Sequence, residues 1–336
     1  MSITSIRLKN FLAFKDISLN FVPGVNVFVG RNGTGKTQIL KAIYGTVDSM
    51  EGPVSQIVLD CFKPGMDRTN LCADSELGNI VIELEDDKIP AEKHSKEITE
   101  LKQTADGSKF KLKTTVFLGA MRAVYIPVKD MLTHAKGLIA MSEKYRDFPF
   151  DKTLTRIIQK ADQWRLREIP ALAEKILPQL ERLLDGQIVR VDEEFYVKKA
   201  DGRLIDFAVE AEGHKKIGLF WQLLMNESIT EDSILIWDEP EANLNPEYLP
   251  VLVECLLELS RCNVQVFVST HNYLFAKYFD IRKHEKDSVV FHSLFDVKDK
   301  GVQGETAECF DELKHNSIMD AFNKLLDEVY GLQVGG

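Results

Sequence analysis

Val25-Asn26-Val27-Phe28-Val29-Gly30-Arg31-Asn32-Gly33-Thr34-Gly35-Lys36-Thr37-Gln38-Ile39-Leu40-Lys41-Ala42 decides how the rest of the chain is read. The apolar run Val25 to Val29 reads as a buried strand, and the glycine-rich turn after it opens into a helical pattern carrying Ile39, Leu40 and Ile43. Between them Gly30 to Thr37 satisfies G-x-x-x-x-G-K-[ST]. A loop that wraps a triphosphate must turn its backbone N–H groups inward, and Gly30, Gly33 and Gly35 permit that. Lys36 is placed to meet the β- and γ-phosphates, Thr37 to ligate Mg²⁺, and the helix N-terminus adds a favourable dipole. Arg31, Asn32, Thr34 and Gln38 complete the expected cofactor-binding set for ATP.

Composition bounds what can be built around that loop. At 336 residues and 44% hydrophobic, the chain can bury a large core as one α/β domain with lobes, or as two domains. No run of eighteen apolar residues occurs, and the opening MSITSIRLKNF lacks the order of a signal peptide, so a cytoplasmic protein without membrane association is expected. Five scattered cysteines without a C-x-x-C pair read as reduced thiols. A net charge of −10 opposes unspecific attraction to nucleic acid, so DNA contact would have to come from a local basic face.

Before the loop, 3–8 and 17–22 alternate in the strand manner and flank Asn10, Phe11 and Phe14, which could line a base or belong to the core. Strand patterns return at 79–84 and 110–117; the charged stretch 85–109 between them reads as an exposed turn or short helix, and 55–120 as the rest of an antiparallel lobe. The run 123–132 is a strand ended by Pro127; Lys129 and Asp130 either face the site or, in the case of Asp130, cap a helix. Residues 151–186 are helical, with Leu154, Ile157, Ile158, Ala161 and Trp164 on one face, and 186–209 form a hairpin turning at Asp201-Gly202. Residues 211–218 make a glycine-containing turn that opens another helix.

A second signal is Ile234-Leu235-Ile236-Trp237-Asp238-Glu239, an apolar strand that ends in two carboxylates. Beside a P-loop, Asp238 is expected to hold the Mg²⁺ shell and Glu239 to polarise the attacking water. A further strand, Val264 to Ser269, ends in Thr270-His271-Asn272, which sets His271 where it could hydrogen-bond the γ-phosphate. The tail holds a strand pattern at 289–294 and an amphipathic helix, 318–330, whose Phe322, Leu325, Leu326 and Val329 either pack on the core or receive a partner.

With those residues in place the chain resembles ABC-type ATPases of the SMC, RecF and OLD group, and more closely the stand-alone bacterial AAA-family ATPases, several of which belong to anti-phage defence systems. The resemblance runs through ITSIRLKNFLAFKDISLNF, GRNGTGKT, YIPVKDML, AEGHKK, WDEPEANLNP and VSTHN. It implies an α/β P-loop fold like an ABC ATPase head, with a mixed or parallel core sheet, an N-terminal antiparallel β lobe and a helical lobe. It also implies one ATPase domain over 1–336, divided as 1–135 (loop and β lobe), 136–230 (helical lobe) and 231–336. Lys36 and Thr37 then belong to Walker A, Asp238 and Glu239 to Walker B, His271 is the switch histidine, and Ala242 to Asn245 form a D-loop. ATP would be sandwiched in a homodimer or higher homo-oligomer, with Gly213 reaching it from the signature turn. The usual L-S-G-G-Q is replaced by Val209-Glu210-Ala211-Glu212-Gly213-His214, and Glu212 would repel phosphate unless Lys215 or Lys216 pairs with it. The resemblance further implies an effector encoded nearby, such as a nuclease, toxin or reverse-transcriptase system. No nuclease segment is expected after the ATPase core.

Overall fold

The computed structural model describes residues 2–48, 60–62, 78–85, 96–103, 110–113, 122–145, 150–165, 168–191 and 194–334. Two hydrophobic strands, β1 (Ser2–Phe11) and β2 (Phe14–Asn20), precede β3 (Val25–Gly30) and the helix α1 (Lys36–Val47). β1 and β2 join β4 (Gly78–Glu85), β5 (Lys96–Gln103) and β6 (Phe110–Lys113) in an antiparallel sheet of order β2-β1-β4-β5-β6. Ile3, Ile6 and Leu8 of β1 are all buried although Ile3 and Ile6 are three apart. A register shift between Ile3 and Ser5 supplies the extra residue that keeps both on one face.

β3 is the centre of the core sheet. Its neighbours are β12 (Gln265–Ser269) and β13 (Val289–Val297); beyond β12 come β11 (Ile234–Asp238) and β7 (Ala123–Ile126), and β14 (Gly301–Ala307) closes the other edge. All pairs from β7 to β13 are parallel, and only β13 with β14 is antiparallel. Alternation along β11 sorts the two cores. Ile234 and Ile236 pack with α1 and the antiparallel sheet, while Leu235 and Trp237 face α6 (Glu212–Met225) and α7 (Leu249–Arg261). Buried Gln265 bolts the sheets together: its carboxamide accepts from Ile3 N at 2.8 Å and donates to Ile3 O and Val22 O, both at 2.8 Å.

Between β7 and β11 lie α2 (Ala135–Lys144), α3 (Lys152–Ala161), α4 (Ala171–Glu174), α5 (Leu177–Leu184) and a three-stranded sheet of β8 (Gly186–Val191), β9 (Glu194–Lys199) and β10 (Leu204–Asp206). After β12 come α8 (Tyr273–Arg282), the β13–β14 pair and α9 (Ser317–Val334). No described helix is long and apolar enough to cross a membrane.

Several readings of the sequence change here. The segment Lys96–Gln103, expected as turn or short helix, is a strand paired with both β4 and β6; the charged residues in its sequence mask the period. Residues 114–117 of the predicted strand 110–117 lie outside the described residues. Trp164 lies beyond the end of α3 and is 94% exposed, whereas Leu154, Ile157, Ile158 and Ala161 are buried as expected. The single hairpin at 186–209 is a three-stranded meander, and β14 had no strand pattern because Gly301 and Gly304 interrupt it. Asn10, Phe11 and Phe14 are buried, which leaves them no free face for a base.

Buried His292 donates from Nε2 to Asn26 Oδ1 at 3.4 Å, which leaves Nδ1 of the neutral ring to accept from Thr306 Oγ1 at 2.9 Å, and burial pushes its pKa down from 6.5 to about 3. The folded chain therefore keeps this imidazole neutral where the unfolded chain takes up a proton. Its contribution is complete above the unfolded pKa near 6.5 and is lost as pH falls from there toward 3. Urea unfolding at pH 7 and pH 5 should show a stability loss that His292→Gln reduces, by up to about 1.4 kcal/mol per pH unit for one proton; an identical pH dependence in both proteins refutes it.

Candidate nucleotide site

The loop between β3 and α1 is shaped by positive backbone angles. Gly35 caps α1 at φ +88°, and a Cβ there would stand 2.4 Å from the Phe14 ring. Gly30, at φ +143°, has the Leu294 carbonyl 2.4 Å from where its Cβ would be. The Lys36 ammonium donates to Gly30 O at 2.8 Å and Arg31 O at 3.1 Å, and Thr34 Oγ1 donates to Arg31 O at 2.8 Å. Arg31, Asn32, Gly33 and Thr37 are exposed at the mouth, and Gln38 accepts from Ala13 N at 3.3 Å. A cavity of about 570 Å³ flanks the loop, walled by Arg31, Asn32, Thr34, Phe295, His315 and Asp320 among others.

Parallel pairing of β11 with β12 and of β12 with β3 carries Asp238 to the start of α1. Thr37 Oγ1 donates to Asp238 Oδ2 at 2.8 Å across 201 residues of sequence. The same oxygen accepts from Tyr125 OH at 3.2 Å, and Oδ1 accepts from Ser269 Oγ. A hydroxyl beside a carboxylate is an all-oxygen donor pair, the kind that suits Mg²⁺ alongside phosphate oxygens. Glu239 follows at φ +48°, with its N–H on Ser269 O at 3.2 Å and Ser269 Oγ at 3.1 Å. Its Oε1 lies 3.2 Å from His271 Nδ1, and His271 is half-exposed at the end of β12.

The loop after Glu239 is held from two sides. Thr270 Oγ1 donates to Glu241 Oε1, while Glu241 Oε2 finds no donor among the described residues. Lys216 of α6 donates to Glu239 O at 2.8 Å. Burial pulls the Lys216 ammonium down to about 8 against the pull of Glu241, Glu239 and Asp238, and burial lowers Lys36 against Glu239, Asp238 and Glu241. Burial raises Glu241 above the usual carboxylate range. Gly213, in the first turn of α6, is buried against the Asn243 carbonyl, which would lie 2.7 Å from a Cβ. Glu212 pairs with Lys215 at 2.7 Å, and Glu210 pairs with Lys199 at 3.1 Å and His214 at 2.9 Å.

The structure therefore brings Lys36, Thr37, Asp238, Glu239 and His271 into one site, whereas Gly213 sits against the 239–245 loop of its own chain. Asp130 accepts from the N–H groups of Leu132 at 3.0 Å and Thr133 at 3.3 Å, so of its two readings the cap holds. Sequence reasoning missed Tyr125, Ser269, Lys216 and Glu241. Ser269 is the register partner of Asp238 and Tyr125 that of Ile236, so strand pairing would have found both. Lys216 and Glu241 carried no signal beyond their nearness to motifs.

Residues 83–277, more than half of the chain, match the family described as AAA domain, putative AbiEii toxin, Type IV TA system, and the chain belongs to that family. Residues 5–47 match a second AAA-domain family. The DNA replication and repair protein RecF of Limosilactobacillus reuteri (strain DSM 20016) is 26% identical over 171 residues, 49% of this chain and 41% of that protein. That of Lactobacillus gasseri is 22% identical over 257 residues, 70% of this chain and 64% of that protein. The chain thus spans less than two thirds of either relative's length. Among solved structures, the SMC head domain from Thermotoga maritima aligns with TM-score 0.53 at 15% identity, covering 91% of this chain and 99% of that one. An SMC head bound to the C-winged helix domain of ScpA aligns with TM-score 0.60 at 14% identity, covering 91% and 98%. At those identities the likeness establishes the fold, that of a P-loop ATPase of the AAA, SMC and RecF type.

Gly35→Ala should cost about 2–4 kcal/mol, from left-handed strain plus the clash with Phe14. Urea unfolding measures it, and unchanged stability would show that the loop does not need a glycine there.

Proposed function

We propose that the chain binds Mg-ATP and hydrolyses it, with Lys36 on the β- and γ-phosphates and Thr37 with Asp238 holding Mg²⁺. The observation that carries this reading is the 2.8 Å contact of Thr37 with Asp238, with Glu239 as the next residue. When bound, Mg²⁺ neutralises charge on the β- and γ-oxygens. Glu239 accepts the proton of the attacking water, and His271, 3.2 Å away, orients that carboxylate and reaches the γ-phosphate. The backbone N–H groups of Gly30 to Gln38 cradle the phosphates.

The same reading extends to a dimer. Gly213 is buried beneath the Ala242–Asn245 loop, against Asn243, and a second copy placed head to tail would set that loop and the first turn of α6 over the P-loop. The ion pairs of Glu212 with Lys215 and of Glu210 with Lys199 moderate the repulsion these acids would exert on phosphate. Nucleotide-driven dimerisation would then regulate a partner effector in anti-phage defence. The toxin named in the family description favours an effector role of this kind. Similarity to RecF proteins favours a second reading, a DNA repair or maintenance ATPase. The net charge of −10 predicts weak duplex binding by the isolated chain at physiological salt. Nanomolar duplex affinity in about 150 mM salt would favour the second reading instead. A nucleotide-locked scaffold with little turnover is the outcome if phosphate release is absent.

Lys36→Ala should abolish tight binding of a fluorescent ATP analogue, since it removes the cation aimed at the phosphates. Unchanged affinity would sink the P-loop assignment. Glu239→Gln should retain Mg-ATP but slow phosphate release by about 10²- to 10⁴-fold, the contribution of a positioned general base. Slower hydrolysis should prolong any ATP-held dimer, because a ligand that binds the associated state stabilises it. Size-exclusion chromatography with light scattering checks this. A dimer in Glu239→Gln with Mg-ATP, lost on adding Lys36→Ala, supports the sandwich; an oligomeric state indifferent to nucleotide in both refutes it.

A further inference from the structure

We propose that Tyr125 is a positioning residue for the divalent cation: its hydroxyl fixes the Asp238 carboxylate in the orientation that, with Thr37, receives the metal. The inference rests on the Mg-ATP reading of the site and adds a residue outside its sequence motifs.

Asp238 is 2% exposed and its carboxylate accepts from three hydroxyls, those of Thr37 and Tyr125 on Oδ2 and of Ser269 on Oδ1. They are not equivalent. Thr37 stands at the exposed mouth, where its own oxygen is required by the cation. Tyr125 lies inside the sheet. It is 2% exposed on β7, in parallel register with Ile236 two residues before Asp238. Its ring is tilted at 43° against Tyr44 of α1, with centroids 5.5 Å apart. Packed this way the ring has no room to swing, and its hydroxyl meets Asp238 at 3.2 Å.

A carboxylate that ligates or orients a cation works only when its lone pairs point at the metal, and outer groups that hold it so typically govern metal affinity by 10- to 100-fold. Tyr125 shares Oδ2 with Thr37, and Ser269 holds Oδ1. The Thr37 side is left to face the incoming nucleotide.

The test follows binding of a fluorescent ATP analogue to the full chain, once in EDTA and once across a Mg²⁺ titration, for wild type, Tyr125→Phe and Tyr44→Phe. Tyr125→Phe keeps the ring and its packing but removes the donor. Its Mg²⁺ half-saturation should rise about tenfold while affinity in EDTA stays at the wild-type value. Tyr44→Phe keeps the same ring contact and lacks any bond to Asp238, so its Mg²⁺ curve should match wild type. Electron paramagnetic resonance of Mn²⁺ with the protein and ATP gives the same comparison without hydrolysis. An unchanged Mg²⁺ half-saturation in Tyr125→Phe overturns the inference, as does a loss equally large in EDTA or shared by Tyr44→Phe. Wild-type protein whose ATP binding ignores Mg²⁺ would overturn the reading of the site itself.

Discussion

The contact between Thr37 and Asp238 constrains everything else in the chain. The two residues are 201 positions apart, yet a hydroxyl and a carboxylate must meet at 2.8 Å. Only a rigid lattice can hold that, and the lattice is the parallel ladder in which β3, β12 and β11 are consecutive neighbours. Pairing of Asp238 with Ser269, and of Ser269 with Phe28, fixes the three strand ends at one level. A one-residue slip would turn Asp238 from one face of the sheet to the other. β4 to β6 of the antiparallel sheet and the helical lobe are inserted between β3 and β11 in sequence, and neither interrupts the ladder.

Buried polar groups secure the lattice where hydrophobic packing alone would allow slippage. Gln265 makes three backbone bonds at 2.8 Å to Ile3 and Val22. Asn26 exchanges bonds with Val22 at 2.9 and 3.0 Å. These amides satisfy carbonyls at the junction of two sheets, where an unpaired group would cost about 1–3 kcal/mol. At the other end of α1, Arg156 pairs with Asp48 in a largely buried contact, and midway along the helix Lys41 pairs with Asp151 at 2.7 Å, so the helix that carries Lys36 and Thr37 is fastened to α3 and its N-cap at two points.

How much of this was legible followed from how local the signal was. The P-loop, β11 and β12 were readable because each is a short apolar run ending in chemistry, and apolar runs buried on both faces need no partner to be recognised. The antiparallel sheet was readable where residues alternate, as in β1 and β4, and lost where charge covers the alternation, as in Lys96–Gln103. Trp164 was misread because helical periodicity says which residues share a face but not where the helix ends; Asp162 ends this one. The supports of the site were invisible for a different reason. Tyr125 and Lys216 act through neighbours 113 and 23 residues away, and no periodicity encodes such a pairing.

The left-handed backbone of Glu239 ties these threads together. An L residue at φ +48° is strained by roughly 1–2 kcal/mol, and such strain persists only where surrounding bonds over-determine it. Here its N–H is held by both the carbonyl and the hydroxyl of Ser269, and its carbonyl by the Lys216 ammonium and the Ala242 N–H. Asn243, four residues on, is also left-handed at φ +65°, and its carbonyl is the atom against which Gly213 packs. The conformation that aims the Glu239 carboxylate is thus set jointly by the end of β12 and by the first turns of α6. A shift of α6 along its axis would break the Lys216 bond and press Gly213 into Asn243, and the strained residue would lose supports on both sides at once. The orientation of Glu239 is therefore a property of how the helical lobe sits on the sheet, more than of the strand that carries it.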